Sequence, residues 1–150
     1  MQALIFLDID GVLTNADTKY RFGHPNCVVY LNHITTMTGA KIVVSSTWRS
    51  DPKIANVLEE WGVDAEVIGV TPQGARESKN GIWSVASRED EIQAWLDQNP
   101  GEWNYMILDD ESFDLFNLRH RLVQTDTHKG LTEKDVNRAI DLLTEGENQK

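Results

Sequence analysis

The chain has 150 residues, 40% of them hydrophobic and 25% charged, so it is long enough for one domain with its own core and too apolar to be disordered. Its formal net charge is -10 and uneven: residues 1–50 hold three acids and four bases, so 21 of the 24 acids and 10 of the 14 bases fall in residues 51–150. Such an acidic body excludes a general grip on nucleic acid, which needs several phosphate-neutralising cations, and leaves room only for a local basic mouth.

The first predicted element is a strand over residues 3–8 (ALIFLD). Short and almost unbroken apolar character reads as a strand covered on both faces, and the Asp-Gly that follows stops it. Residues 11–25 are a flap's length of chain, too short for a large inserted cap. A weaker helix is expected over 26–38. It carries Cys27, read as a small half-buried helix residue; a single cysteine builds no disulfide framework and fits a reducing, cytoplasmic compartment. A second strand over 40–44 (AKIVV) runs into Ser45, Ser46 and Thr47. Ile54, Val57, Leu58 and Trp61 then mark one face of a helix, with Ser50 as N-cap, Pro52 in the first turn and Gly62 as the stop. A short strand over 65–69 (AEVIG) leads into a long polar loop, 70–87. The next helix face is Ile92, Trp95 and Leu96, opened by Ser87 with Asp90 as an approximate capping box and closed by Asn99-Pro100-Gly101. Strands over 103–108 (WNYMIL) and 120–123 (HRLV) follow. The last helix shows Val136, Ala139, Ile140 and Leu143 on one face behind Thr132 and Asp135. There is no basic-then-apolar leader and no apolar run near 18 residues, so neither a signal peptide nor a membrane span or partner is expected.

Strands alternating with helices require crossover connections. The expected fold is therefore α/β, a three-layer single domain over 1–150 with a mostly parallel sheet of about five strands and helices on both faces. Ligands of such sheets gather beyond the carboxyl ends of the strands, so the polar residues after each strand should make chemical sense together. They are Asp8 and Asp10, then Ser45, Ser46 and Thr47, then Asp109 and Asp110. In extended chain, positions i and i+2 share a side, so Asp8 and Asp10 face one centre while Ile9 packs away and Gly11 permits the turn. Four converging carboxylates repel one another unless a cation sits among them. An all-oxygen set with no histidine or cysteine cluster favours Mg2+ over Zn2+. The four histidines, His24, His33, His120 and His128, show no ligand spacing. No GxGxxG follows the first strand and no GxxxxGK followed by Ser or Thr occurs, which removes dinucleotide and P-loop readings.

These residues carry a resemblance. FLDIDGVLT is similar to the first motif of the haloacid dehalogenase (HAD) superfamily of phosphotransferases, an apolar strand followed by DxDG and then Thr or Val. IVVSS resembles the second motif and ILDD the fourth. Arg88 stands at the start of the helix before that last strand, where the third motif has Lys or Arg. A closer likeness is to the HAD domain of Swiss Army Knife RNA repair proteins, through LDIDGVL, VVSSTWR, residues Gly69 to Pro72, REDEIQAWL, ILDD, and LVQTD followed by GLT. Together these cover Ala3 to about Leu143. The resemblance implies a capless HAD-like Rossmannoid fold and a Mg2+-dependent phosphomonoester hydrolase. Asp8 would be the nucleophile that forms an aspartyl-phosphate, Asp10 the proton donor and acceptor, Ser45 a hydrogen-bond donor to phosphoryl oxygen, and Arg88 a positive charge at a helix start. The metal would take the Asp8 side chain, the Asp10 backbone carbonyl and the acidic pair, with Asp110 the direct ligand and Asp109 beside it. A second alignment pairs Asp110 with Asp114. Arg76 and Lys79 rival Arg88. Ser46, Thr47 and Arg49 are candidate substrate contacts; Trp48 reads equally as substrate contact or core packing, and Arg49 as a surface ion pair.

An open, capless site resembles family members that act on phosphorylated macromolecules, so terminal phosphates on RNA or DNA are the expected substrates. The net charge pulls against this, since only Arg21, Arg49, Arg76, Lys79 and Arg88 supply a basic track. A nucleotide or other small phosphomonoester is the alternative. A phosphoacceptor receiver module would carry its acidic pair after the first strand and a lone Asp after a middle one, whereas here the middle strand ends in Ser45 and the pair comes late. A retired HAD domain serving as a binding module is a third reading, although every motif residue is present. No obligate protein partner is evident.

Overall fold

Strand β1 (Gln2–Leu7) is apolar on both faces because both faces are covered. In the computed structural model, which describes residues 1–73, 75–77 and 83–148, Leu4, Ile5, Phe6 and Leu7 have no exposed surface. Alternate residues go to opposite sides. Ile5 and Leu7 join a cluster with Leu31 and Ile34 of α1 (Pro25–Thr38), Ile54 and Leu58 of α2 (Ile54–Glu60), and Val136, Ala139 and Leu143 of α4 (Glu133–Asn148). Leu4 and Phe6 join Ile92 and Trp95 of α3 (Arg88–Gln98), with Leu115 and Leu118 beyond. Phe6 meets Trp95 edge to face at 5.7 Å between ring centroids.

The remaining strands are β2 (Lys41–Val44), β3 (Val67–Val70), β4 (Ala75–Glu77), β5 (Trp83–Val85), β6 (Trp103–Asp109) and β7 (Leu122–Gln124). Five of them form one all-parallel sheet in the order β3-β2-β1-β6-β7, with helices on both faces as the alternation of strands and helices requires. Central β1 pairs Leu7 with Val44 on one side and with Leu108 on the other. The strand ends differ from the sequence expectation by one or two residues.

Four local expectations are corrected. Ser50 does not cap α2; it ends a 3-10 turn, Thr47–Ser50, and its hydroxyl donates to Gln73, while Asp51 holds the Lys53 N–H just before the helix. Ser46 opens that turn first, which leaves Ser50 inside it. Cys27 is buried, not half-buried, its thiol turned toward the carbonyls of Lys129 and Leu131. Within 70–87, β4 and β5 pair antiparallel as a separate two-stranded sheet in place of a plain loop, and three-residue strands are too short to show a period. The first part of 11–25 is no free flap: Val12, Leu13, Thr14 and Asn15 are buried, and the segment is bonded to residues 125–131 through Thr125 Oγ1 to Gly11 O (2.6 Å), Leu131 N to Val12 O (2.8 Å) and Asn15 Nδ2 to Lys129 O (3.1 Å).

Ser87 does cap α3, in a full capping box with Asp90. Ser87→Ala is expected to lower unfolding stability by about 1 kcal/mol, and Ser50→Ala by less than about 0.5 kcal/mol, as read by urea denaturation of the two variants side by side.

Candidate active site

Because β1, β2 and β6 lie side by side in register, the residues that follow them arrive at one edge of the sheet. The Asp8 N–H donates to Leu108 O (2.9 Å) and the Ser45 N–H to Leu7 O (2.8 Å), so both backbones continue the ladder past the last apolar residue. Asp8, Ser45 and Asp109 are all buried. Asp8, Asp109 and Asp110 each offer a carboxylate oxygen, and these oxygens lie within 4.8 Å of one another. Arg88, the first residue of α3, leans over them, with Nε 3.6 Å from Asp109 Oδ2 and a guanidinium nitrogen donating to Ser45 Oγ at 3.4 Å.

Backbone and hydroxyl donors fix the acidic pair. Asp109 accepts from the Glu111 N–H (3.0 Å) and Asp110 from Thr127 Oγ1 (2.9 Å). Gly11 turns here with φ +79°, and a Cβ at that position would collide with the Asp110 carboxylate. Both the left-handed backbone and the close approach therefore call for glycine.

The electrostatics follow from burial. The Asp8 carboxyl is pushed up to about 9, first by desolvation and then by Asp109, with Arg88 opposing and Asp110 adding to the rise. Asp109 is pushed up to about 6, again by burial first, against the pull of Arg88 and the Glu111 N–H. A cluster that prefers protons this strongly lacks positive charge, and its donors are all hard oxygens. The three carboxylates thus fit a hard divalent cation.

Asp10 is turned to other partners. Its Oδ1 accepts from Thr14 Oγ1 (2.9 Å) and its Oδ2 from Trp48 Nε1 (3.1 Å). Trp48 packs against the core and also donates its indole N–H to Asp10, and only its position just after the second strand's hydroxyls hinted at the second contact.

The other sequence candidates divide. Ser46 is buried and accepts from the Trp48 N–H (3.2 Å), which makes it the cap of the 3-10 turn, whereas Thr47 is exposed on that turn. Arg49 is corrected from a surface ion pair to a buried one. It meets Glu91 at 2.6 Å with side-chain exposures of 8% and 9%, and its Nε has no hydrogen-bond partner among the described residues. Little of it is left to reach a substrate. Asp114 accepts from the Arg88 N–H (3.0 Å), an N-terminal hold on α3, so it faces the helix instead of the carboxylate cluster. Arg76 lies in β4, and Lys79 falls outside the described residues. No helix among the described residues is long and apolar enough to cross a membrane.

A family model described as the HAD domain in Swiss Army Knife RNA repair proteins matches residues 4–136. No curated protein and no solved structure matches the chain.

The raised Asp8 value fixes a pH dependence. Between its ordinary value of 3.8 and about 9, the folded protein holds a proton that the unfolded chain releases, so this carboxyl favours folding in acid and the benefit is lost as pH rises toward 9. In EDTA at pH 8, Asp8→Asn is expected to raise the thermal midpoint by about 3 °C or more, and by less at pH 5. Added Mg2+ should raise the midpoint of the wild type at pH 8 and leave that of the variant nearly unmoved. Thermal scans at the two pH values read both effects.

Proposed function

Since the chain belongs to the family of the HAD domain in Swiss Army Knife RNA repair proteins, we propose that it is a HAD-type phosphomonoester hydrolase of the cytoplasm, acting through an aspartyl-phosphate on terminal phosphates of RNA or DNA. The observation that carries this reading is the buried Asp8 carboxylate facing Asp109 and Asp110, with Ser45 and Arg88 at its side. In the first step an Asp8 oxygen forms a bond to phosphorus while the bond from phosphorus to the ester oxygen breaks, and Asp10 gives that oxygen a proton. In the second, water attacks the same phosphorus, Asp10 takes its proton, and phosphate leaves with Asp8 restored. Ser45 Oγ donates to a phosphoryl oxygen, and the Arg88 guanidinium, set at the start of α3, neutralises another. Mg2+ held by Asp8, the Asp10 carbonyl and the acidic pair would cancel the mutual repulsion of the carboxylates and part of the phosphoryl charge.

The substrate class rests on the family description and on the size of the domain. The chain would act as one unit without a large inserted cap. An acidic body grips phosphates poorly, and the exposed Phe113 and Phe116, just after the acidic pair, offer stacking faces for nucleobases that need no cation.

Hydrolysis of p-nitrophenyl phosphate is expected to require Mg2+, to stop in EDTA, and to fall by about 10³-fold or more in Asp8→Asn. Activity that survives this substitution would remove Asp8 from its role. In a panel of 5'- and 3'-phosphorylated oligonucleotides, mononucleotides and sugar phosphates, kcat/KM should be highest for the oligonucleotides. A preference for the small esters would overturn the substrate class, and no hydrolysis of any would leave a binding module.

A further inference from the structure

We infer that Trp48 is a positioning residue for Asp10, and that its indole N–H sets how well Asp10 serves a leaving-group oxygen; this rests on the reading of Asp10 as the proton-transferring residue. Asp10 lies beyond the end of β1, on the turn that follows, and is only partly buried, so nothing in the strand itself fixes its side-chain rotamer. Two donors do, one on each oxygen.

Thr14 supplies the local hold. It is fully buried in the same turn, where its N–H donates to Ile9 O (3.1 Å) and its carbonyl accepts from the Gly11 N–H (3.1 Å). A hold from within the turn moves with the turn. Trp48 comes from elsewhere in the chain and ties Asp10 to the end of β2. An indole N–H is a donor only, so it orients the carboxylate and never takes the proton that Asp10 must carry.

The indole is itself braced. Ser46 accepts from the backbone N–H of Trp48, which sets the 3-10 turn on which Trp48 sits. The ring meets Trp61 edge to face at 5.4 Å and 74°. Trp61 in turn lies against Gly23, where an added Cβ would come within 2.9 Å of the ring. The second serine of the second motif thus has a task of its own: it aims Trp48 at Asp10, beside the Ser45 that meets Arg88.

A leaving group that is stable as an anion needs no proton, whereas an alkoxide does, so loss of the hold should be read as a difference between esters. Trp48→Phe keeps the aromatic edge against Trp61 and removes only the N–H. In this variant the ratio of kcat/KM on p-nitrophenyl phosphate to kcat/KM on an alkyl phosphate, glycerol 2-phosphate, should rise about 10-fold, because kcat/KM reports the step that expels the ester oxygen while the later hydrolysis is common to both. An unchanged ratio overturns the inference.

A second measurement does not depend on turnover. In protein labelled with 15N-tryptophan, the Trp48 indole N–H, identified by its loss in Trp48→Phe, should resist hydrogen exchange and should lose that protection in Asp10→Ala. A signal unmoved by Asp10→Ala overturns the placement. Wild-type protein inert on both esters overturns the phosphatase reading and the leaving-group role together, while the indole signal still decides whether Trp48 holds Asp10.

Discussion

Three carboxylates held within 4.8 Å of one another, two of them buried, are the constraint to which the rest of the molecule answers. Left to themselves they would separate or turn to water. They cannot, because β1 is hydrogen-bonded on both sides and Leu4 to Leu7 are wholly enclosed, so Asp8 is as immobile as the core beneath it. Burial first, and then the neighbouring carboxylates, raise the proton affinity of Asp8 and Asp109, while Arg88 offsets part of the rise. A site of this kind exchanges stability for readiness to take up positive charge.

How much of this could be read from the chain depends on how local each feature is. The central strand was legible because burial on both faces leaves an unbroken apolar run, and the acids after β1 and β6 were legible because the parallel sheet brings strand ends together. The Ser87–Asp90 box joins residues three positions apart and needed no tertiary information. By contrast, Trp48 finds Asp10 across 38 positions and Arg49 finds Glu91 across 42. No rule of spacing says which indole meets which carboxylate. Cys27 was placed on the correct helix, but the depth of its burial is set by the Lys129–Leu131 segment, far away in the chain.

The Arg49–Glu91 pair shows what such distant pairings do. Enclosing two charges is costly, and the unpartnered Nε of Arg49 adds to that cost among the described residues, so the pair is poor as a source of stability. Its geometry is more telling. Arg49 follows the end of β2 and Glu91 sits one turn beyond Arg88 on α3, so the contact fixes the start of that helix relative to the strand that leads into Ser45. The distance between Arg88 and Ser45 is then a property of the scaffold and not of two flexible side chains.

The strand order also sets a sequence of events in time. β1 ends at Leu7 and β2 begins at Lys41, so the first pairing of the sheet forms across one helix and is available early as the chain emerges. The second side of β1 must wait for β6, which begins at Trp103, and closing so long a loop is the slow part of folding for a sheet of this kind. Without that strand the Asp8 N–H has no partner at Leu108 O, and Asp109 and Asp110 do not stand beside it. The unusual carboxylate therefore depends on the pairing of greatest sequence separation in the sheet, that of β1 with β6, which sets Leu7 beside Leu108.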